Sequence, residues 1–317
     1  MKRSMPEVTR RVSVRGVRVL AVATWTSTVG LIILGSAVRV TDSGMGCKGW
    51  PLCTGAQGSI ASFHPLMEES HRLLASIVTV LILLLAWSVR HCERAGHLRG
   101  PSLVGVGVIG VQIVLGAVTV FAKNAPFTVA LHLLTATLFL GVSSVLAVVA
   151  FISPERGWSL RTGTGPLAWA AVASLYTVII SGSVVVSAGA QSACAAWPLC
   201  LHSSAATSLL LVQTAHRAMV LVASVLVVAF LLVQLRSKSA SGGVRVVARL
   251  ALVLLVTQVV VGAMSAIWSS HTEVADVHLA VASLLWSSVV AVLALSASEP
   301  RAPGEVPRRR QARRVRA

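Results

Sequence analysis

The sequence predicts an all-α polytopic membrane protein, with eight transmembrane helices forming two parallel-repeat four-helix bundles. Three observations predict it. Across 317 residues the chain is 55% hydrophobic and only 12% charged, with a mean hydropathy of +0.82, whereas about a quarter of a soluble domain is charged. Apolar runs recur that are long enough, at roughly 20 residues each, to cross a ~30 Å hydrocarbon layer as helix. Finally, the second half of the chain repeats motifs of the first.

The elements follow in order. A basic stretch, 1–16, holds Lys2, Arg3, Arg10, Arg11 and Arg15 and precedes the first span, 17–38. That span lacks a small-residue cleavage site and is followed by seven more, so it reads as a retained helix rather than a signal peptide. A polar loop with GMGCKGWPLC at 44–53 leads to the second span, 68–89. Arg90, Arg94 and Arg99 lie before the third, 101–121, and Lys123 alone before the fourth, 128–151. Residues 152–165, with Arg156 and Arg161, read as a linker. The fifth span, 166–187, is followed by a loop with QSACAAWPLC at 191–200 and then by the sixth, 206–235. Arg236, Lys238, Arg245 and Arg249 surround the connection to the seventh, 247–268. Glu273 and Asp276 introduce the eighth, 276–297, and RRRQARRVR lies in a basic tail, 298–317.

Lysine and arginine crowd every second connection and thin out in the others. That is the positive-inside rule, and it places both termini in the cytoplasm of a cell-membrane protein. The net charge of +17 thus reports topology and contact with anionic lipid, not a nucleic-acid partner. The cysteines fit the same topology. Cys47, Cys53, Cys194 and Cys200 fall in outside loops, where thiols oxidise, and Cys92 falls inside. Two equal spacings on the oxidising face predict Cys47–Cys53 and Cys194–Cys200 disulfides and a free Cys92.

The repeat is extensive. GSAVRVTDSGMGCKGWPLC at 35–53 aligns without a gap on GSVVVSAGAQSACAAWPLC at 182–200, with eight of nineteen positions identical. QIVLGAV at 112–118 matches QVVVGAM at 258–264, His71-Arg72 matches His216-Arg217, and His132 matches His278. The offsets stay between 145 and 147. Four crossings per half return the chain to its starting side, so the repeats are parallel rather than inverted. The halves are then 17–151 and 166–297.

Ionisable groups within a span are costly and default to functional candidates. His71, His132, His216 and His278 occupy matching positions on the second and fourth helices of each half, toward the outer end. Two imidazoles on two helices of one bundle are a common way to hold a haem iron from both sides. A compact zinc or copper site needs three or four close ligands, and each half offers two. His64, His91, His97, His202 and His271 read as loop or helix-entrance residues. Arg72 and Arg217 are positioned either to meet haem propionates or to snorkel to headgroups. Arg39 has Val186 as its repeat counterpart, so it belongs to one half alone.

The halves differ at MEESHR, 67–72, against VQTAHR, 212–217. Glu68 shares a helix face with His71, three residues on, and its counterpart is Gln213. Glu69, two before the histidine, points elsewhere. A carboxylate beside the ligand suits proton transfer, and a neutral glutamine suits a permanently bound haem that passes electrons.

With these motifs in hand (the GSAVRVTDSGMGCKGWPLC loop, Glu68-His71-Arg72, LGAVTV, Ala130-Leu131-His132 and their echoes) the chain resembles the haem A synthase family over roughly 17–297. The resemblance implies a haem B cofactor held by His216 and His278 in the second half. It implies haem O bound at His71 and His132 in the first, with Glu68 as acid–base residue. The reaction would oxidise a porphyrin methyl to a formyl group, giving haem A for the terminal oxidase. Haem O synthase and terminal-oxidase assembly factors become candidate partners. Two rival readings stay open here: a b-type cytochrome that passes electrons from quinol without modifying haem, and a parallel-repeat transporter.

Overall fold

The computed structural model describes residues 12–53, 62–152, 158, 160, 164–200, 203–268 and 272–297. The expectations placed on Lys2, Arg3, Arg10, Arg11, Arg156, Arg161, His202, His271 and the tail 298–317 lie outside the described residues.

The described residues form eight long helices and one short 3₁₀ turn, and no strand is found among them. The helices are α1 (Val14–Val40), α2 (Phe63–His91), α3 (Arg99–Phe121), α4 (Pro126–Val149), α5 (Pro166–Ser187), α6 (Thr207–Arg236), α7 (Gly242–Ile267) and α8 (Thr272–Ser296). All eight are long and apolar enough to cross a membrane. Helix is the required solution there, because hydrocarbon satisfies no backbone N–H or C=O group.

Several helices begin earlier than hydropathy suggests. α2 starts at Phe63, not 68, and α7 at Gly242, not 247. Apolar runs mark the hydrocarbon layer, whereas helical hydrogen bonding continues into the polar margin until a cap ends it. Ser13 and Ser241 cap α1 and α7, accepting from Gly16 N at 3.1 Å and Val244 N at 3.3 Å. Pro126 and Pro166 occupy the first turns of α4 and α5, where their missing N–H costs nothing. α1 ends as Asp42 turns left-handed (φ 52°) and Ser43 N reaches back to Val38 O at 2.8 Å. At the repeat-equivalent position Gly189 (φ 68°) ends α5, with Ala190 N on Val185 O at 2.9 Å. This is the usual helix-stopping motif, and it turns both chains into their cysteine loops.

α1 packs on α2 and α4, α2 on α3, and α3 on α4; α5 packs on α6 and α8, α6 on α7, and α7 on α8. The two groups of four meet through α4 and α1 against α8, and α4 against α5. The seam is polar in a way that suits a membrane. Ser287 of α8 takes a hydrogen bond from Trp25 Nε1 of α1 at 2.8 Å and shares another with Ser144 of α4 at 2.8 Å. Trp286 Nε1 donates to Thr137 O at 2.9 Å while its ring packs over Gly141. Tyr176 OH donates to Leu134 O at 3.0 Å and its ring packs on Trp286. Small residues and interhelical hydrogen bonds are what hold helices together where lipid removes the hydrophobic drive, at about 0.6 kcal/mol per bond on average.

Candidate functional site

His71, His132, His216 and His278 are each partly buried. They are brought together in pairs: His71 and His132 are electrostatic neighbours, and so are His216 and His278. Each imidazole rests on a glycine of the preceding helix. A Cβ built on Gly35 of α1 would lie 2.9 Å from His71 Nε2, and one on Gly262 of α7 would lie 2.9 Å from His278 Cε1. Gly116 of α3 and Gly182 of α5 stand in the same relation to His132 and His216, at 3.3 and 3.4 Å. Gly35 and Gly182 open the two copies of the cysteine-loop motif. Gly116 and Gly262 sit inside QIVLGAV and QVVVGAM.

The glutamines of those two motifs serve the same rings. Gln112 Nε2 lies 3.1 Å from His132 Nε2 and donates to His132 O at 3.0 Å; Gln258 Nε2 lies 3.3 Å from His278 Nε2. His132 Nδ1, His278 Nδ1, Gln112 Oε1 and Gln258 Oε1 are buried without a hydrogen-bond partner. An orphaned buried polar atom costs about 1–3 kcal/mol, so both pairs lack something that would satisfy them. Ser181 of α5 engages Nδ1 of His216, on α6, at 2.7 Å, leaving Nε2 free to ligate, the outer-sphere arrangement common to histidines that bind metals. Two imidazoles per group, cradled by glycines that admit a flat body, fit an iron porphyrin with two axial ligands. They do not fit tetrahedral zinc. The Cys47 and Cys53 sulfurs do lie within 4.8 Å of the Glu69 carboxylate, but they are bonded to each other and are unavailable as ligands.

Both cysteine pairs are joined, Cys47 to Cys53 and Cys194 to Cys200, and Cys92 is free and buried. The loops they staple contain cis Trp50–Pro51 and Trp197–Pro198 bonds. The residues flanking the α2 and α6 histidines pin these loops. Arg72 Nη1 donates to Gly49 O and Pro51 O. Arg217 reaches Ala196 O at 2.7 Å, Pro198 O at 3.1 Å and Cys194 O at 3.1 Å. Glu68 is 4% exposed; Arg72 donates to its Oε1, and the Cys47 backbone N–H donates to its Oε2 at 2.8 Å. Its counterpart Gln213 donates instead to Gln191 O at 3.2 Å. Glu69 Oε2 is buried without a partner. Among the histidines read as peripheral, His64 sits in the first turn of α2 with Nδ1 2.9 Å from Ser43 Oγ, and His97 lies in the 3₁₀ turn after α2.

The glycine cradles and the two glutamines were missed in the sequence. The signal was there: both recur at the histidine offset, inside motifs whose duplication is plain.

Comparison with known proteins is consistent across the chain. The profile of the cytochrome oxidase assembly protein family (COX15-CtaA) matches residues 18–290. A heme A synthase of Shouchella clausii (strain KSM-K16) is 29% identical over 262 residues, covering 78% of this chain and 86% of its own length. A heme A synthase of Staphylococcus haemolyticus (strain JCSC1435) is 24% identical over 279 residues, covering 84% and 92%.

Proposed function

The chain belongs to the cytochrome oxidase assembly protein family, and from that premise we propose that it is a haem A synthase, an oxidoreductase that converts the methyl group of haem O to a formyl group. The first bundle, 17–151, takes haem O between His71 and His132. The second, 166–297, keeps haem B between His216 and His278 as a resident electron carrier. The single observation that carries this reading is the fourfold recurrence of one buried arrangement, an imidazole seated on a glycine of the preceding helix, twice in each bundle.

The conversion consists of two successive hydroxylations of one carbon, each a two-electron oxidation that takes its oxygen and its electron acceptor from outside the chain, followed by loss of water from a geminal diol. When bound, the resident haem supplies one-electron redox chemistry. The remaining work falls to the chain. The glycine-backed histidines would hold each macrocycle, their rings oriented by the glycines of the preceding helices. Glu68, held in place by Arg72 and the Cys47 N–H, is the proton acceptor on the His71 helix; Gln213 at the matching position cannot take that part, and this difference supports haem O in the first bundle and haem B in the second. The disulfide loops, tied down by Arg72 and Arg217, shield the outer end of each pair from water. The guanidinium donors of Arg72 and Arg217 not spent on loop carbonyls, together with Arg39, form the cationic set offered to haem propionates. The charge alternation supports a cell-membrane protein with both termini in the cytoplasm, a setting in which haem O synthase and terminal-oxidase assembly factors are its candidate partners.

The test is direct. Pure protein is incubated with haem O and a reductant, and the extracted pigments are separated by chromatography. A formyl-bearing haem is expected. Recovery of unchanged haem O beside haem B would convict the rival, a b-type cytochrome.

A further inference from the structure

The two bundles share one charged contact that the repeat does not reproduce. Ser36 of α1 donates its hydroxyl hydrogen to Asp276 Oδ1 of α8. Ser36 directly follows Gly35, on which His71 rests, and Asp276 stands two residues before His278. Arg39 lies one turn beyond Ser36 on the same face of α1 and so stands at the same seam as Asp276, without a direct ion pair to it. Ser36 is 4% exposed, and Asp276 and Arg39 are partly buried.

The repeat-equivalent residues are Ser183, Val186 and Ala130. The serine persists; both charges are gone. Yet the equivalent junction, α5 against α4, still closes. The fold therefore does not need an ion couple at this seam. Withdrawing charges from water costs several kcal/mol per ion when burial is complete, so two partly buried charges at one junction and none at its repeat call for a use other than packing.

We propose that Ser36, Asp276 and Arg39 form an electrostatic bridge between the two bundles, in which the Asp276 carboxylate, held by Ser36, acts through its charge on the reduction potential of the haem bound by His278. This rests on the reading of His216 and His278 as haem ligands. A fixed negative charge beside a haem favours its oxidised form, and a positive one its reduced form. In a low-dielectric seam such charges act over several ångströms with little screening. Asp276 and Arg39 are thus opposed levers on one potential, and they stand on the contact of α1 with α8 that joins the two bundles.

The experiment uses the full chain in phosphatidylcholine nanodiscs, with its resident haem and without added haem O, and measures the midpoint potential by optical redox titration at one fixed pH. Asp276→Asn should raise the potential, Arg39→Gln should lower it, and Asp276→Glu should restore the wild-type value. Ser36→Ala, which keeps both charges, should shift it less than Asp276→Asn. Haem content per protein should stay at the wild-type level in Asp276→Asn, Asp276→Glu and Ser36→Ala, and the Arg39→Gln potential is read on the haem that this variant retains. Unchanged potentials in Asp276→Asn and Arg39→Gln would overturn the proposal. So would shifts of the same sign accompanied by haem loss, since that is what a purely structural seam contact produces. A wild-type protein with no haem absorbance would instead overturn the reading of the histidines themselves.

Discussion

Substituting Gly262 by alanine tests the cradle at atomic scale. The new Cβ would lie 2.9 Å from His278 Cε1 and 3.4 Å from Nδ1, against the 3.5–4.0 Å or so at which carbon atoms normally touch. The ring must yield by more than half an ångström in a packed helix pair, at the roughly 1–3 kcal/mol typical of overpacking. Since about 1.4 kcal/mol is tenfold in affinity, resident haem should bind on the order of 10- to 100-fold more weakly. Gly182→Ala is the internal control: its Cβ meets His216 Cε1 at 3.4 Å, close to an ordinary contact, and should cost less than about threefold. Neither change should weaken the helix, because alanine exceeds glycine in helix propensity by about 1 kcal/mol. The assay is a haem titration of the apo protein followed in the Soret band, paired with thermal unfolding. A larger loss of haem affinity in Gly262→Ala than in Gly182→Ala is expected, with any fall in thermal stability softened by the helix propensity of alanine. Wild-type affinity in Gly262→Ala, or equal losses in both variants, would refute the cradle.

Three other outcomes are expected. Glu68→Gln should keep both haems yet form no formyl product by pigment chromatography; normal conversion would shift the proton-transfer role to Glu69, whose Oε2 is buried and unpartnered. Arg72→Ala strands the buried Glu68 carboxylate and should cost on the order of 3 kcal/mol, seen as a drop in Tm larger than that of Arg217→Ala, whose partners are loop carbonyl and sulfur atoms of residues 194–198. Equal drops would mean that the Glu68 pair is not the stabilising contact. Mass mapping without reductant should recover Cys47–Cys53 and Cys194–Cys200 peptides, with Cys92 alkylated only after unfolding; labelling of Cys194 in native protein would contradict this.

The eight helices were legible because hydropathy and charge are local signals, and each span could be read without its neighbours. The cysteine pairs were legible because two equal spacings mark them, and the histidines stood out because duplication sets four imidazoles at matched offsets. What was not legible depends on which helix faces which. The seam through Trp25, Ser287 and Ser144 joins residues far apart in the chain, and no spacing announces it. The roles of Arg72 and Arg217 were left open between propionate and headgroup, whereas the guanidinium groups lie on loop carbonyls brought round by the disulfides. The glycines escaped notice for a simpler reason. A missing side chain attracts no attention until the ring it makes room for is seen beside it.

The central claim is that each bundle clasps one iron porphyrin between two imidazoles. It is tested most directly by haem stoichiometry and low-temperature EPR on three proteins: wild type, the His71→Ala/His132→Ala double variant and the His216→Ala/His278→Ala double variant, each saturated with haem. The account predicts two low-spin signals in the wild type and one, a different one, in each double variant. Retention of both signals in either double variant would contradict it.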